Sequence, residues 1–554
     1  MDIARRDSVV AALLLAAAGL PIQAVAQAPT QPAAQAATQT APQASTQTAA
    51  QAPTGAIAIG YGSNVTSIDP HFHNAVLNRN FSAHIFDRLV HQDEQNRLVP
   101  GLAERWRAID DTTWEFTLRR GVRFHDGTPF DAEDVLASLR RAPAVPNSPS
   151  SFGLYTRPIL EATAPDPFTL RIRTRGPYPL LPIDLSNISI IARSFETATT
   201  ADFNAGRAAI GTGAFRFTAW LPGEALRLGA HAEHWAGAPP WSQASLRIMV
   251  NDPARVAALL AGEIQVADRI PSADVARLAR DPALTLLNGR TTRLIYMHMD
   301  QHRAVTPHAA TRSGQPLERN PLLDPRVRLA ISKAIDRPAI TTRLLEGLGE
   351  PAGGLIPDGF YGATPERRPE ALDVAGARRL LAEAGYPDGF VLTLHAPNDA
   401  FPSDERVAQA VAQMLARIGI TTRVEVLPWS VFVQRGSNLE FSAFIAAAGA
   451  PTGEASVQLR SLIATFNRER GLGVLNRGRY SNPAFDTLLD RAMQTIPDAG
   501  REALLRQATN MALDDQAVIP IYYQLNVTGL RRGHTMVVRA DEQTLAADVR
   551  RSGP

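Results

Sequence analysis

From residue 324 to residue 427 amphipathic helical stretches alternate with short strand-like runs. That alternation limits the chain to an α/β arrangement more tightly than any other feature. Asp324-Pro325 puts a capping residue before a proline at the first helical position, and Val327, Ala330, Ile331, Ala334 and Ile335 then share one face. Asp336 and Pro338 open another helix. Val374, Ala377, Leu380, Leu381 and Ala384 mark a further one, stopped by Gly385 and followed by a strand over 390–394. A helix over about 404–417 leads through Gly419 into a strand over 422–426. A last helix, over about 500–513, runs into Val518-Ile519-Pro520-Ile521-Tyr522-Tyr523, so the α/β lobe spans roughly 300–520. The earlier part is richer in strands, with one over 56–60 and an alternating one at Trp114-Glu115-Phe116-Thr117-Leu118. The helix after it is capped by Asp131, with Asp134 three residues on and Phe130 and Val135 placed as a hydrophobic staple.

The chain has 554 residues. A single core rarely serves more than ~250–300, so at least two lobes are required. No internal repeat of ~20–50 residues is visible. Residues 1–26 carry Arg5-Arg6, an apolar run over 9–20 and a small-residue end, Ala24-Val25-Ala26, the three parts of a secretory signal too short to span a bilayer. Arg5-Arg6 also resembles a twin-arginine signal. Residues 27–54 contain Ala, Gln, Pro and Thr plus Ser45, a composition that cannot offset the entropy of ordering and reads as a disordered linker. The mature protein is expected to be exported and soluble.

The absence of cysteine rules out disulfides, thiolate metal sites, a thiol nucleophile and a bacterial lipid anchor. The sequence pI of about 9.0 does not signal nucleic-acid binding, because 56 Lys+Arg stand against 54 Asp+Glu, the basic residues are scattered, and Lys333 is the sole lysine. Catalytic signatures are missing too: there is no G-x-S-x-G, no H-E-x-x-H and no S-x-x-K. Gly211-Thr212-Gly213 starts like a dinucleotide fingerprint but reads as a tight turn, with Arg216 where the third glycine belongs. His71 and His73 would project from one side of an extended segment, a pairing suited to nickel or copper, or they are surface or pocket-lining histidines. His231 with His234 and His298 with His302 are the other close groupings. Trp429 follows one predicted strand, and Asn398 and Phe401 lie in the loop after another. In an α/β lobe such loops face a ligand cleft, although core packing would also account for the aromatic residues.

Several segments taken in order resemble the family 5 extracellular solute-binding proteins of ABC importers, which include dipeptide, oligopeptide and nickel-chelate receptors. They are Leu98-Val99-Pro100-Gly101-Leu102-Ala103-Glu104 with Trp106, then residues 118–130 running on to Asp134-Val135, and Gly211-Thr212-Gly213. Next come Asp324-Pro325-Arg326-Val327-Arg328 through Ala334-Ile335-Asp336-Arg337, residues 375–389, Tyr480-Ser481-Asn482-Pro483 and Ile519-Pro520-Ile521-Tyr522. Together they cover nearly all of 56–525.

The resemblance implies a two-lobed periplasmic binding protein fold of α/β class (type II-like, cluster C) with a small α/β domain inserted in the first lobe. Lobe I would comprise 55–98, 212–300 and 524–554, the inserted domain 99–211, and lobe II 301–523. It implies a periplasmic monomer, without cofactor, metal or enzymatic activity, that closes about hinge strands on a small-molecule or peptide ligand and docks on ABC permease subunits in the inner membrane. In dipeptide-binding relatives a G-D-x-x-D-P cluster supplies the Asp that holds the peptide ammonium. The corresponding residues 446–456 contain no Asp; Glu454 is the sole carboxylate, with Gly449 and Thr452 beside it. The Arg that holds a dipeptide carboxylate would fall near Asn398. A buried charge without a partner costs several kcal/mol, so a free zwitterionic dipeptide is disfavoured, while longer peptides, opines, sugar derivatives and chelated metals stay open. The expected ligand-binding residues are Asn74, Asn398, Phe401, Trp429, Gly449, Thr452 and Glu454. The alternatives are an exported metal-assisted hydrolase using His71 and His73, or a receptor for a nickel chelate.

Overall fold

The computed structural model describes residues 52–552. The expected signal, 1–26, and nearly all of the 27–54 linker lie outside them. Among the described residues no helix is long and apolar enough to cross a membrane.

One twelve-stranded sheet runs through both lobes. In lobe I, Ala56–Tyr61 lies parallel to Gln243–Ile248 on one side and to Val266–Ala267 on the other, and the hairpin Phe215–Leu221/Ala225–Ala230 extends the sheet. In lobe II, Val391–Pro397 lies parallel to both Thr421–Leu427 and Ala443–Ala448. Parallel order sends the carboxyl ends of these three strands to the same edge of the lobe.

Local chemistry builds these elements much as expected. Asp324 accepts from Arg326 N at the start of helix Pro325–Ala334, and Val327, Ala330, Ile331 and Ala334 are all buried beneath it. Asp373 caps Val374–Glu383, and Gly385 ends that turn with φ 92°, a left-handed geometry glycine adopts at no steric cost. Asp131 and Asp134 form the capping box of Ala132–Arg141, with Phe130 and Val135 both buried. A separate four-stranded antiparallel sheet, in the order Ala103–Ala108, Thr113–Leu118, Thr169–Thr174, Ile159–Asp166, falls inside 99–211 and packs its own core around Phe116, Phe124 and Phe130. Ile496 of lobe II packs against that core.

Two long strands, Leu284–Met299 and Ile519–Arg531, cross between the lobes as an antiparallel pair. Their register runs unbroken from Leu284↔Arg531 to Arg290↔Leu525 and resumes at Leu294↔Tyr523, leaving Thr291, Thr292 and Arg293 bulged opposite Gln524. Side-chain hydroxyls take over the interrupted bonding. Thr291 Oγ1 donates to Gln524 O (2.8 Å), and Thr292 Oγ1 donates to Ala450 O (2.8 Å) while accepting from Ala450 N (3.1 Å). Beyond the bulge, residues 294–299 pair with Ala443–Ala448 of lobe II, so this strand changes lobe before the boundary expected at 300.

Candidate functional site

Three loops of lobe II carry the residues expected to bind ligand. Asn398 is exposed, and its neighbour Asp399 accepts from Trp429 N at 2.6 Å, which ties the ends of two parallel strands together. Trp429 is 38% exposed, with its ring stacked on Phe432 at 5.7 Å. Phe401 was expected beside them, but it is buried in the lobe II core. Ser403 follows in the left-handed region (φ 59°) and starts helix Asp404–Ala416, and this turn carries the chain from Phe401 inside to Arg406 outside.

The third loop, 449–454, packs against residues 92–96 of lobe I. Gly449 faces open space. Gln92 Nε2 of lobe I donates to Thr452 O (3.3 Å), and Asn96 Nδ2 donates to Pro451 O (3.4 Å). A Cβ at Gly453 (φ 69°) would lie 2.4 Å from the Asn96 side chain, so the two lobes meet here only because residue 453 is glycine. Glu454 is buried. Its carboxylate accepts from both terminal nitrogens of buried Arg501 and from Ser456 Oγ. It is neither an exposed loop acid nor an open receptor for a ligand cation. Asn74 Nδ2 donates to Tyr155 Oη (3.3 Å), joining the early loop to the inserted domain.

On the hinge side a cleft opens to about 390 Å³ and is lined by both lobes and by the crossing strands. Lobe I contributes Gly62, Ser63, Arg269 and Glu542; lobe II contributes Glu346, Ser403 and Arg406; Arg293 and Gln524 stand at the bulge. Arg269 Nη2 donates to Glu542 Oε2 at 2.8 Å, and Arg293 approaches Glu542 Oε1 at 3.6 Å. Nine non-glycine residues among those described have positive φ, and Arg269, Glu346, Ser403 and Glu542 are four of them. Backbone held in sparsely populated regions gathers where side chains must be aimed at a ligand. These arginines were missed from sequence because arginine is spread along the whole chain and nothing local sets these apart.

His71 and His73 do not form a pair. His71 is buried, with Nε2 on Ser189 O (2.8 Å) and Nδ1 facing Arg141 (3.2 Å), and burial together with that guanidinium pushes it down to about 4. His73 Nδ1 instead meets Thr66 Oγ1 (3.0 Å). Among the described residues no group of three or more His, Asp or Glu could hold a metal ion. The hydrolase built on His71 and His73 therefore loses its basis. A different titrating group lies between the inserted domain and lobe II: Asp184 accepts from Tyr178 Oη (2.7 Å), and burial pushes it up to about 7 against the opposing pull of that bond and of Arg460.

Two α/β lobes joined by crossing strands that break in the middle, with a solute-sized cleft at the break, define a hinged binding protein. The chain belongs to the bacterial extracellular solute-binding proteins, family 5, whose model ("family 5 Middle") matches residues 97–469. It is 28% identical over 475 residues to the glutathione-binding protein GsiB of Shigella dysenteriae serotype 1 (strain Sd197), covering 84% of this chain and 88% of that protein. Its fold is similar to HbpA2 from Haemophilus parasuis (TM-score 0.79, 23% identity, 90% and 100% of the two chains). It is also similar to the periplasmic murein tripeptide-binding protein MppA in its unliganded open form (TM-score 0.76, 22% identity, 91% and 98%).

Proposed function

We propose that this protein is the periplasmic receptor of an ABC importer, a monomer that captures a small peptide-like solute between its lobes, leaves it covalently unchanged and hands it to the permease subunits of the inner membrane. The observation that carries this reading is the cleft of about 390 Å³ at the bulge of the crossing strands, which takes its walls from both lobes. A solute touching both walls favours the closed arrangement over the open one, as closure by ligand requires. The volume falls in the range of pockets that bury most of a small ligand, ~300–1,000 Å³. The likeness to a glutathione-binding protein supports a peptide-like solute. Export through the signal at 1–26, without lipidation, is part of the proposal.

Asn398, Gly449, Thr452 and Trp429 remain the proposed lobe II contacts, with Asn74 approaching from the inserted-domain side. Phe401 would then support the loop from within, and Glu454 would hold the 449–454 loop in shape. A free dipeptide stays disfavoured, since the one carboxylate of that loop is already paired with Arg501. The test is small-angle scattering of the purified protein with a panel of di- and tripeptides, glutathione included, alongside thermal unfolding. One solute should compact the molecule in a single step and raise its stability as RT ln(1 + [L]/Kd). A protein that keeps its dimensions and its unfolding temperature with every peptide would sink the proposal.

A further inference from the structure

We propose that the solute is an anion, a peptide-like molecule with carboxylates at both ends, held between Arg406 of lobe II and the Arg269/Arg293 pair at the hinge. This deepens the receptor reading and rests on it.

The hinge-side cleft carries more positive than negative charge, and the excess is free to act. Arg255 also lines it, but its guanidinium is spent on Asp252 and on the carbonyls of Met249 and Arg269. Of the three remaining arginines, Arg269 is 43% and Arg293 37% exposed, and Arg406 is exposed as well. Two carboxylates of the lining, Glu542 and Glu346, face them, and buried Asp268 behind the wall approaches Arg269 Nε at 4.0 Å. Glu542 is shared between Arg269 and Arg293, and the 3.6 Å separation leaves the Arg293 guanidinium without a side-chain hydrogen bond. Arg406 and Glu346 have no hydrogen-bond or ion-pair partner among the described residues. Each guanidinium offers five N–H donors in a planar fork that matches a carboxylate, so the two walls together have places for two.

Closing the lobes raises the stakes. As water leaves the cleft, an unpaired guanidinium becomes expensive, so closure over an empty or cationic content is disfavoured and closure over an anion is rewarded. The charge excess thereby couples ligand sign to the closed state. Gln524 adds the peptide-like element: its Oε1 is buried without a partner at the bulge itself, an acceptor suited to an amide N–H between the two carboxylates.

The experiment is calorimetric titration of the full chain with matched pairs of probes, each a dicarboxylic acid without a free amine and its neutral form: N-acetylglutathione and its diethyl ester, N-acetyl-γ-glutamylglycine and its diamide, glutarylglycine and its diamide. At least one acid is expected to bind tenfold or more tighter than its neutral partner. Arg406→Gln and Arg293→Gln should each erase at least a threefold share of that difference while leaving the neutral form's affinity within twofold. Arg406 makes no contact that folding needs, so its variant is expected to unfold at the same temperature as the parent. A neutral form binding as tightly as its acid, or an Arg406→Gln protein that still prefers the acid to the full extent, overturns the charge inference and leaves the receptor reading standing. If no member of any pair binds, both fall.

Discussion

Two regions of the molecule, the 449–454 loop and the hinge-side cleft, hold similar residues in opposite circumstances. At residues 449–454 a carboxylate meets an arginine inside the protein, Glu454 on both terminal nitrogens of Arg501, and the pair is buried out of a ligand's reach. In the hinge-side cleft one carboxylate, Glu542, is divided between two arginines and a third faces solvent alone. A charged side chain beside a cleft recognises a ligand only if its own protein has not already satisfied it, so spare capacity, rather than charge or position in a motif, separates a binding group from a structural one.

The sharpest way to break this comparison is to remove Glu454. Glu454→Ala leaves a buried guanidinium unpaired, and stability measured by urea unfolding should fall by about 3–5 kcal/mol. Glu454→Gln, which keeps the side chain's shape and its bond from Arg501, should leave ligand affinity within twofold. A Glu454→Gln protein that keeps its stability but loses binding would show that the carboxylate reaches the solute after all.

The next effect is read in pH. Unfolded Asp184 gives up its proton near pH 4, whereas burial in the folded protein holds it until about 7. Between those values the native state binds more protons than the unfolded state, so stability falls as pH rises, by at most about 1.4 kcal/mol per pH unit, and the decline stops above about 7. Asp184→Asn should flatten that part of the stability profile relative to the parent. Identical profiles for the two proteins would show that Asp184 titrates as an ordinary acid.

A smaller effect joins the two regions. Thr292 in the hinge bulge holds both the N–H and the C=O of Ala450, at the start of the closed loop. Thr292→Val keeps the shape and strands the Ala450 N–H, while Ala450 O keeps its bond from Gly453 N (2.8 Å), for a loss of about 1–3 kcal/mol, and Thr292→Ser should recover most of it. A serine variant as unstable as the valine one would mean that the methyl group, not the hydroxyl, matters at this position.

The parts of this architecture that depend on neighbours in sequence could be read from it. Asp324, Asp373 and Asp131 cap the helices they precede, and the strand predicted over 390–394 is the core of Val391–Pro397. The parts that depend on distant pairing could not. Nothing near Glu454 announces Arg501, 47 positions away, and the hinge is defined by Thr291 bonding to a carbonyl 233 positions later. Phe401 misled for a more local reason: one left-handed residue, Ser403, turns the loop so that the aromatic ring goes into the core and Arg406 comes out.

Trp429 gives the mildest effect and a discriminating one. Its ring stacks on Phe432, itself buried in the second lobe II cluster, while its backbone N–H is held by Asp399. Trp429→Ala removes the ring but not the backbone bond, so the loop should keep its path and stability should drop by only about 0.5–1.5 kcal/mol, the worth of an aromatic pair beyond its area. If the exposed face of the ring covers the solute, affinity for acid and neutral probes should weaken by the same factor, because an aromatic face contributes burial without choosing a sign. Arg406→Gln must weaken the acid alone. A Trp429→Ala protein that lost affinity for the acid and not for its neutral partner would place the charge selection at the lobe II loops, not at the hinge.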